Sequence, residues 1–545
     1  MNFKQINNYF KDSLMKIRNI ILLIAIVATA SVFAQSTDSD EALRKQIKEA
    51  VMKVYDEELE KAPGDYNLRF ARANQHYYNG DFAYALDDAD KVLELVPKKE
   101  KELIFDVHML RAKVFDAQGN INAEVDALRE ANQLNPSSLS CIDMLGKVAY
   151  KMNDLDAAEK NFQVILRDNQ MNYDALYWMA KVEAKRGNGE KAAEYADRAV
   201  ALFPAEEQVY INRSDVLCML NQYQPAAQDL ISALSVSNDN GAAIQALVQM
   251  SDTHYDDVIG ALDFSISKAP RVGMFYYIKA SIAMGHFHYA QALNSFNAII
   301  NNNLYSTPGI YFNTAKCQYE LTKYDDALAN VNKAIATDDN WEYSLLKARI
   351  LMAKGENNFD NAMASINHAA SLNPEDISVM IAKAHLLLAQ RKNDDAIKVL
   401  DKAITAHPES SEALLLRGWT HKYRLRDEAL AQKDFEKVLL NGSSLHALRG
   451  FALHEVGRDD EARQWAKDVI QEGILPGGET YYYAAALMSD IGDKDEAKDY
   501  MESCLANGFG SLYEVNVNEN PYVNLKLVRR LPFFAELVQK YAKNF

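Results

Sequence analysis

Three lysines recur at a spacing of 34 residues, Lys113, Lys147 and Lys181, in a chain of 545 residues. An ammonium group binds carboxylates through charge-assisted hydrogen bonds. A row of such groups at one structural position therefore suits an acidic, extended peptide or a chain terminus. Tyr150 and Tyr177 lie close to two of the lysines along the chain, and aromatic side chains beside cations are typical of protein-binding surfaces. The spacing predicts a repeated binding surface.

The same lysines have a plainer interpretation, which the sequence leaves open. Asp143 and Asp174 lie near Lys147 and Lys181 along the chain. These aspartates could pair with the lysines on solvated helix faces, where an exposed ion pair contributes about 0–1 kcal/mol. In that case the lysine row would carry no partner specificity.

Two histidines, His286 and His288, flank Phe287 in a predicted turn and are candidate metal ligands. A zinc site needs three or four ligands at recognisable spacing, and a third ligand is missing here. We interpret both as solvated turn histidines. The sequence also lacks a phosphate-binding glycine loop, an HExxH motif and a GxSxG motif. We therefore predict no catalytic, cofactor-binding or metal-binding residues, and a protein that is not an enzyme.

Composition and charge narrow the class of partner. Hydrophobic residues make up 48% of the chain and charged residues 25%, which is ordinary for a folded protein. The formal net charge is −17, and a strongly acidic protein repels nucleic-acid backbones. We expect no nucleic acid among the partners. The four cysteines form no CxxC pair, and we interpret them as small apolar residues of the core.

The amino terminus resembles a secretory signal peptide. Lys16 and Arg18 precede an apolar run over residues 20–32, which ends in small residues before Gln35. The run is too short for a permanent membrane span, so we expect no integral membrane span after signal cleavage. Translation could begin at Met15 instead of Met1. We predict an exported protein of the periplasm or cell envelope, or a secreted one.

Pairs of small residues twelve positions apart recur along the chain about every 34 residues. Glycines often lie between the two members, as at Gly80, Gly119 and Gly187, where a left-handed residue ends one helix before the next begins. Antiparallel helices approach most closely where both carry small side chains. The pattern predicts stacked helix–turn–helix units. The pairs are Ala73 and Ala85, Gly146 and Ala158, Ala180 and Ala192, Ala280 and Ala292, Ala315 and Ala327, Ala384 and Ala396, Gly450 and Ala462, and Ala485 and Ala497.

This pattern resembles the tetratricopeptide repeat (TPR) family. Residues 173–204 carry small residues at Ala180, Ala192, Ala196 and Ala199 and end in Pro204, as the family's repeat does. About thirteen such units run from residue 66 to residue 508. The resemblance implies an all-α fold, a right-handed α-solenoid of helix–turn–helix TPR units with N- and C-terminal capping helices.

The repeat pattern also predicts a domain division. We expect a signal peptide at 1–34, an N-terminal capping helix at 35–64, an array of repeats at 65–238, a degenerate repeat or hinge at 239–272, a second array at 273–508 and a C-terminal cap at 509–545.

The resemblance further implies that the first helix of each repeat lines a concave groove. We predict a non-enzymatic protein–protein interaction scaffold of the cell envelope that binds peptide or protein partners there, including partners with acidic segments. The alternative is a glycan-binding TPR protein of the outer membrane or periplasm, with tyrosines stacking on sugars. The oligomeric state is not predicted. The expected groove residues are Asn74, Tyr77, Lys113, Lys147, Tyr150, Tyr177, Lys181, Phe312, Lys316, Tyr319 and Arg349.

Overall fold

The computed structural model describes residues 38–441, 448–473, 478–517, 520, 523 and 525–545. The predicted signal peptide, residues 1–34, lies outside the described residues. Within the described ranges the regular structure is entirely helical. The chain falls into two compact units, the first ending at Asn221 and the second beginning at Gln222.

The first unit contains a leading helix followed by helix pairs. Helix α2 packs on α3, α4 on α5, α6 on α7 and α8 on α9, and each pair packs on the next. The bounds are α1 Asp38–Lys61, α2 Tyr66–Tyr78, α3 Phe82–Leu95, α4 Lys101–Ala117, α5 Ile121–Leu134, α6 Leu139–Lys151, α7 Leu155–Asp168, α8 Tyr173–Lys185, α9 Gly189–Leu202 and α10 Glu207–Met219.

The second unit continues in the same manner. Its bounds are α11 Tyr223–Val236, α12 Gly241–Lys268, α13 Gly273–Gly285, α14 Tyr289–Asn301, α15 Pro308–Glu320, α16 Tyr324–Thr337, α17 Trp341–Ala353, α18 Phe359–Leu372, α19 Ile377–Ala389, α20 Asn393–Ala406, α21 Ser411–Trp419, α22 Glu428–Leu440, α23 Arg449–Glu455, α24 Asp459–Glu472, α25 Glu479–Ile491, α26 Lys494–Ala506, α27 Leu512–Asn516 and α28 Pro532–Lys540. A single π-helical stretch, Thr420–Leu425, extends α21 within the described residues.

The small residues predicted to join each helix pair do so. Each alanine of the eight pairs has no solvent exposure, and Gly146 and Gly450 are buried as well. Small side chains let the two backbones approach, so the larger apolar residues on either side interlock. The predicted α-solenoid of helix pairs is confirmed.

Where the first helix carries glycine, the second helix fills the space with an aromatic ring. An added Cβ at Gly146 would lie 2.7 Å from Phe162, and one at Gly418 would lie 2.6 Å from Phe435. At Gly450 the Cβ would lie 2.2 Å from Trp465. The glycines are therefore required by close packing and not by backbone conformation.

The predicted turn glycines adopt the left-handed conformation. The φ angles of Gly80, Gly119 and Gly187 are 78°, 68° and 82°, a region that glycine enters without steric penalty. Non-glycine residues take the same conformation in other turns, including Phe287 with a φ of 62°. For a bulky residue this conformation is uncommon, and Phe287 is considered again below.

The predicted degenerate repeat at 239–272 forms one bent helix, α12. His254 has a φ of −130° and a ψ of 48°, which interrupt the helix where other repeats have a turn. Val258, which stands where other units carry a small residue, is fully buried. The structure thus shows a bent helix at this stretch, and its assignment as a degenerate repeat stays a prediction. A hinge role stays a prediction, and the boundary between the two compact units lies before it, at Asn221.

None of the helices in the described part of the chain combines the length and the apolar character needed to cross a membrane.

Candidate functional site

Helices α6 and α8 position two of the predicted lysines side by side. Ser138 and Asn172 cap these helices by accepting hydrogen bonds from the backbone N–H groups of Cys141 and Ala175, which fixes where each helix begins. Gly146 and Ala180 point into the core. The residues that follow them, Lys147 and Lys181, are only partly buried.

Aspartates neutralise Lys147. Its Nζ lies 2.8 Å from Asp143 Oδ2 and 2.8 Å from Asp174 Oδ2. Burial lowers the pKa of Lys147, but the hydrogen bonds that its ammonium group donates to both aspartates raise the pKa overall. Burial also raises the pKa of Asp143, against the effect of Lys147. We take the group as ionised, because one lysine at hydrogen-bond distance from two carboxylates stabilises their charged forms.

Lys181 is neutralised in the same way. Its Nζ lies 2.8 Å from Asp215 Oδ2 and donates a hydrogen bond to the hydroxyl of Tyr177 at 3.1 Å. That hydroxyl donates in turn to Asp215 Oδ2 at 2.7 Å. Burial and this bond raise the pKa of Tyr177, so its phenol stays a neutral donor. Two of the three lysines in the row, Lys147 and Lys181, are therefore paired with aspartates, as the plainer interpretation predicts.

Two other cations of the first unit remain outside such pairs. Lys113 is exposed; burial, followed by the charge of Glu102, raises the pKa of the nearby Asp106, and the charge of Lys113 offsets only part of this rise. Lys185 is exposed, with its Nζ 4.5 Å from the ring centroid of Tyr150 and 3.3 Å from the Tyr150 carbonyl oxygen that it contacts. Among the described residues neither lysine forms an ion pair with a carboxylate.

Trp178 lies at the centre of these side chains. Its ring centroid is 5.3 Å from that of Tyr150, 5.5 Å from that of Tyr177 and 5.8 Å from that of Phe162. Lys181 Nζ lies 5.2 Å from the same centroid, within the range of a cation–π interaction. We call Tyr150, Tyr177, Trp178, Lys181 and Lys185 the Trp178 cluster; all five are at least partly exposed.

Sequence reasoning missed Trp178 although a signal was present. The chain has only four tryptophans, and this one follows the predicted groove residue Tyr177. Tryptophan is enriched among the residues that dominate binding energy at protein interfaces.

The other predicted residues of the first unit lie apart from this cluster. Asn74 and Tyr77 belong to α2 and are partly buried. The Asn74 amide donates to the carbonyl oxygen of Phe70 at 2.8 Å, and the Tyr77 ring packs against Phe82 at 6.2 Å. Their contacts are those of helix packing.

In the second unit, the chain itself covers part of the predicted groove. Lys316 and Arg349 are exposed, whereas Phe312 packs on Tyr343 with ring centroids 4.8 Å apart. Tyr319 is 7% exposed and its ring lies 4.6 Å from that of Tyr513. Tyr319 therefore presents no open surface to a partner in this structure.

Tyr513 belongs to the C-terminal segment, by which we mean residues 508–545. The backbone N–H of Gly510 donates to the carbonyl oxygen of Phe287 at 3.0 Å. The hydroxyl of Ser511 donates to Glu320 Oε2 at 2.6 Å. Phe509 stacks on Phe287 with centroids 5.3 Å apart. The segment thus returns to the repeats at α13–α15.

The interpretation of His286 and His288 as solvated turn histidines is wrong. The His286 side chain is 12% exposed and its Nε2 lies 3.0 Å from Ser251 Oγ. The His288 ring lies against Gly508. Burial lowers the pKa of both rings. The repeat pattern alone gave no sign that the C-terminal segment would cover this turn.

A cavity of about 420 Å³ lies where the segment meets the repeats. Four carboxylates line it, from Glu320, Glu412, Glu479 and Glu514, together with aromatic rings that include Tyr289. Burial, followed by the charge of Glu514, raises the pKa of Glu320 and that of Glu479 to about 7. These glutamates come from helices far apart in sequence, so no local motif could have grouped them.

Family models described as tetratricopeptide repeat match residues 144–207 and 353–419. The first match covers most of α6 and all of α7 to α9, including Lys147 and Lys181. The chain contains tetratricopeptide repeats. TPR proteins in general mediate protein–protein interactions, and the repeats of this chain indicate protein partners.

A TPR repeat-containing protein of Methanocaldococcus jannaschii is 23% identical over an alignment of 385 residues, which covers 66% of this chain. The chain spans about 60% of the length of this curated relative. Solved structures similar to this chain include yeast Tom70, with a TM-score of 0.33 and 16% identity over 76% of this chain and 98% of that one. Another is YrrB, a TPR protein with an unusual peptide-binding site, with a TM-score of 0.27 and 18% identity over 35% of this chain and 96% of that one.

Proposed function

We propose that this protein is a non-enzymatic scaffold whose first unit binds an extended segment of a partner protein over the Trp178 cluster. The observation that carries the proposal is Trp178 itself, partly exposed between Tyr150 and Tyr177 on the first helices of two adjacent repeats. Aromatic rings that are held rigidly and only partly covered offer a large contact area at low entropic cost.

The charges around the cluster define the chemistry of the partner. Lys147 and Lys181 are already paired with aspartates, so their charges add little net attraction. Lys185 is the exposed cation that contacts the cluster's rings without an ion pair to a carboxylate among the described residues. We propose a partner segment that places an aromatic or apolar side chain on Trp178 and a carboxylate at Lys185. An acidic segment thus stays part of the proposal, with attraction from fewer lysines than the sequence predicts.

The proposed location is the cell envelope or the exterior of the cell. This part of the proposal rests on the sequence of residues 1–34 and on the positively charged residues before their apolar run. Fractionation of cells that produce the full chain tests it. Cleavage after residue 34, read by N-terminal sequencing of the mature chain, is the expected result, and an intact Met1 or Met15 terminus in the cytoplasmic fraction contradicts it.

Chemical crosslinking in cells, followed by mass spectrometry, tests the binding surface. The native chain is compared with Trp178→Ala and Lys185→Glu, and Tyr84→Ala serves as control because Tyr84 is 67% exposed and lies outside the cluster. We expect the same proteins to be captured by the native and control chains and to be lost from both cluster variants. Circular dichroism verifies that the variants fold.

The same variants also test the alternative that this protein binds glycans. Titration of the purified chain with a panel of polysaccharides is expected to give no heat of binding. If a polysaccharide binds the native chain but not Trp178→Ala, the ligand of the cluster would be a sugar stacked on the Trp178 ring and not a protein. Equal capture of proteins by all four chains would remove the Trp178 cluster from the proposal.

A further inference from the structure

The C-terminal segment closes the second unit on itself through contacts that surround an ionisable side chain. Ser511 bonds to Glu320, Gly510 bonds to Phe287, and Tyr513 covers Tyr319. We propose that this contact is a pH-sensitive clasp, closed in mildly acidic solution and loosened as the pH rises above neutrality. This inference is independent of the function proposed for the first unit.

The clasp is a close fit between backbones. An added Cβ at Gly508 would lie 2.1 Å from His288 Nε2, and one at Gly510 would lie 2.5 Å from the Phe287 carbonyl oxygen. Phe287 holds a left-handed conformation that is uncommon for a bulky residue, and its carbonyl accepts the bond from Gly510. Such conformations persist where the surrounding contacts enforce them. The fit makes the closed arrangement one defined state.

Carboxylates accumulate on both sides of this fit. Glu320 belongs to the repeats and Glu514 to the C-terminal segment, and Glu412 and Glu479 line the same cavity. Closing the clasp brings the Glu514 carboxylate towards Glu320, and like charges in a partly buried site oppose each other. Closure is therefore favoured when these groups hold protons.

The cations that face Glu320 do not cancel this effect. Lys316 on the same helix and Arg349 on α17 lower the pKa of Glu320, and so does the hydrogen bond from Ser511. Burial and Glu514 raise it by more, to about 7. Neither cation forms an ion pair with Glu320 in the described residues.

The tyrosines and histidines at the clasp stay neutral near pH 7, whereas Arg529 is charged and donates hydrogen bonds to the backbone carbonyl oxygens of Val515 and Glu514. Burial raises the pKa of Tyr289, Tyr319 and Tyr513, so the phenols keep their protons. Burial lowers the pKa of His286 and His288, so these rings are uncharged at neutral pH. Charging of the histidines would affect the clasp only at the acidic end of the titration.

The sign of the pH effect follows from proton linkage. In the open state Glu320 returns towards its ordinary pKa of 4.5, whereas in the closed state its pKa is about 7. The closed state therefore binds more protons between these values and loses stability as the pH rises through them. For one such group the closing equilibrium is expected to fall about tenfold between pH 6 and pH 8.

Hydrogen–deuterium exchange of the full chain tests the clasp directly. The amide of Gly510 is bonded only in the closed state, so the protection of a peptide covering 508–517 reports closure. After correction for the intrinsic exchange rate, we expect its protection factor to fall at least about tenfold from pH 6 to pH 8. A peptide from α20, residues 393–406, serves as reference and should not change.

Substitution of the glutamates distinguishes opening of the clasp by their charges from a general loss of structure at high pH. Glu320→Gln keeps an oxygen that accepts from Ser511 but carries no charge, and Glu320→Gln/Glu479→Gln should keep the peptide protected at pH 8. If circular dichroism shows that the double variant is unfolded, the single variant Glu320→Gln is used instead. Its protection factor should then depend less on pH than that of the native chain. A protection factor independent of pH in the native chain, or a full pH effect in the folded Gln variant, would overturn the proposal.

Discussion

Lys181 Nζ lies 2.8 Å from Asp215 Oδ2, in a site where the lysine row predicts an open cation. Its ammonium is held among the rings of the Trp178 cluster and is already balanced by a carboxylate. The first unit thus presents aromatic surface with few uncompensated charges.

Because Lys147 is paired with aspartates and Lys113 is not, substituting these two lysines should lower the free energy of unfolding by different amounts. Lys147→Met removes the partner of both Asp143 and Asp174 and should lower the free energy of unfolding by about 0.5–1 kcal/mol. Lys113→Met is the matched control, because Lys113 forms no ion pair within the described residues. This substitution should change the free energy of unfolding by less than about 0.5 kcal/mol. Urea unfolding followed by circular dichroism measures both free energies, and equal losses would show that the ion pairs of Lys147 contribute nothing.

The contact between Gly146 and Phe162 predicts a steep response to a single methyl group. The Cβ of Gly146→Ala would lie 2.7 Å from the Phe162 ring, and such overpacking costs about 1–3 kcal/mol. Urea unfolding followed by circular dichroism measures the loss of stability.

A control variant and a second substitution that restores stability test whether the loss comes from this contact. Gly64→Ala adds a methyl group where no atom lies within 4 Å and should leave the urea midpoint unchanged. Gly146→Ala combined with Phe162→Leu should recover part of the lost stability. An unchanged midpoint for Gly146→Ala alone would contradict the packing described for this helix pair.

A buried ion pair near the start of the repeats predicts the largest stability effect. Asp88 is 1% exposed and accepts hydrogen bonds from Arg72 Nε at 2.7 Å and from Arg69 Nη1 at 3.0 Å. Asp88→Asn leaves the partly buried Arg69 without its carboxylate and leaves Arg72 with only the exposed Asp56, and breaking such a buried pair costs about 3–5 kcal/mol. The exposed neighbour Asp87→Asn is the control. Urea midpoints of the two variants should differ clearly, and coinciding midpoints would contradict a structural role for the pair.

Much of the fold could be predicted because it repeats. The buried position of Ala180 and Ala192 follows from a spacing that recurs throughout the chain, and each recurrence strengthens the others. The turn glycines, such as Gly187, follow for the same reason. Helix pairing is a local property, so a local pattern describes it.

Other features could not be predicted because they depend on contacts distant in sequence. Ser511 meets Glu320 across 191 positions, and no period relates the C-terminal segment to the turn around His288. The pairing of Lys181 with Asp215 lay within reach of the repeat pattern, because Asp215 follows Lys181 by the same 34 residues, but the structure was needed to show that the two side chains meet. Periodicity therefore locates the groove-lining helices but does not show what covers or neutralises them.

The central claim is that a partner protein lies over the Trp178 cluster. Its most direct test is a photoreactive lysine analogue that keeps the side-chain ammonium group, placed at Lys185, in the cluster, and separately at Lys98, an exposed lysine outside it. The account predicts that irradiation in cells attaches one reproducible set of partner peptides at position 185 and none of them at position 98. The same peptides at both positions, or none at position 185 in a folded and correctly located chain, would contradict it.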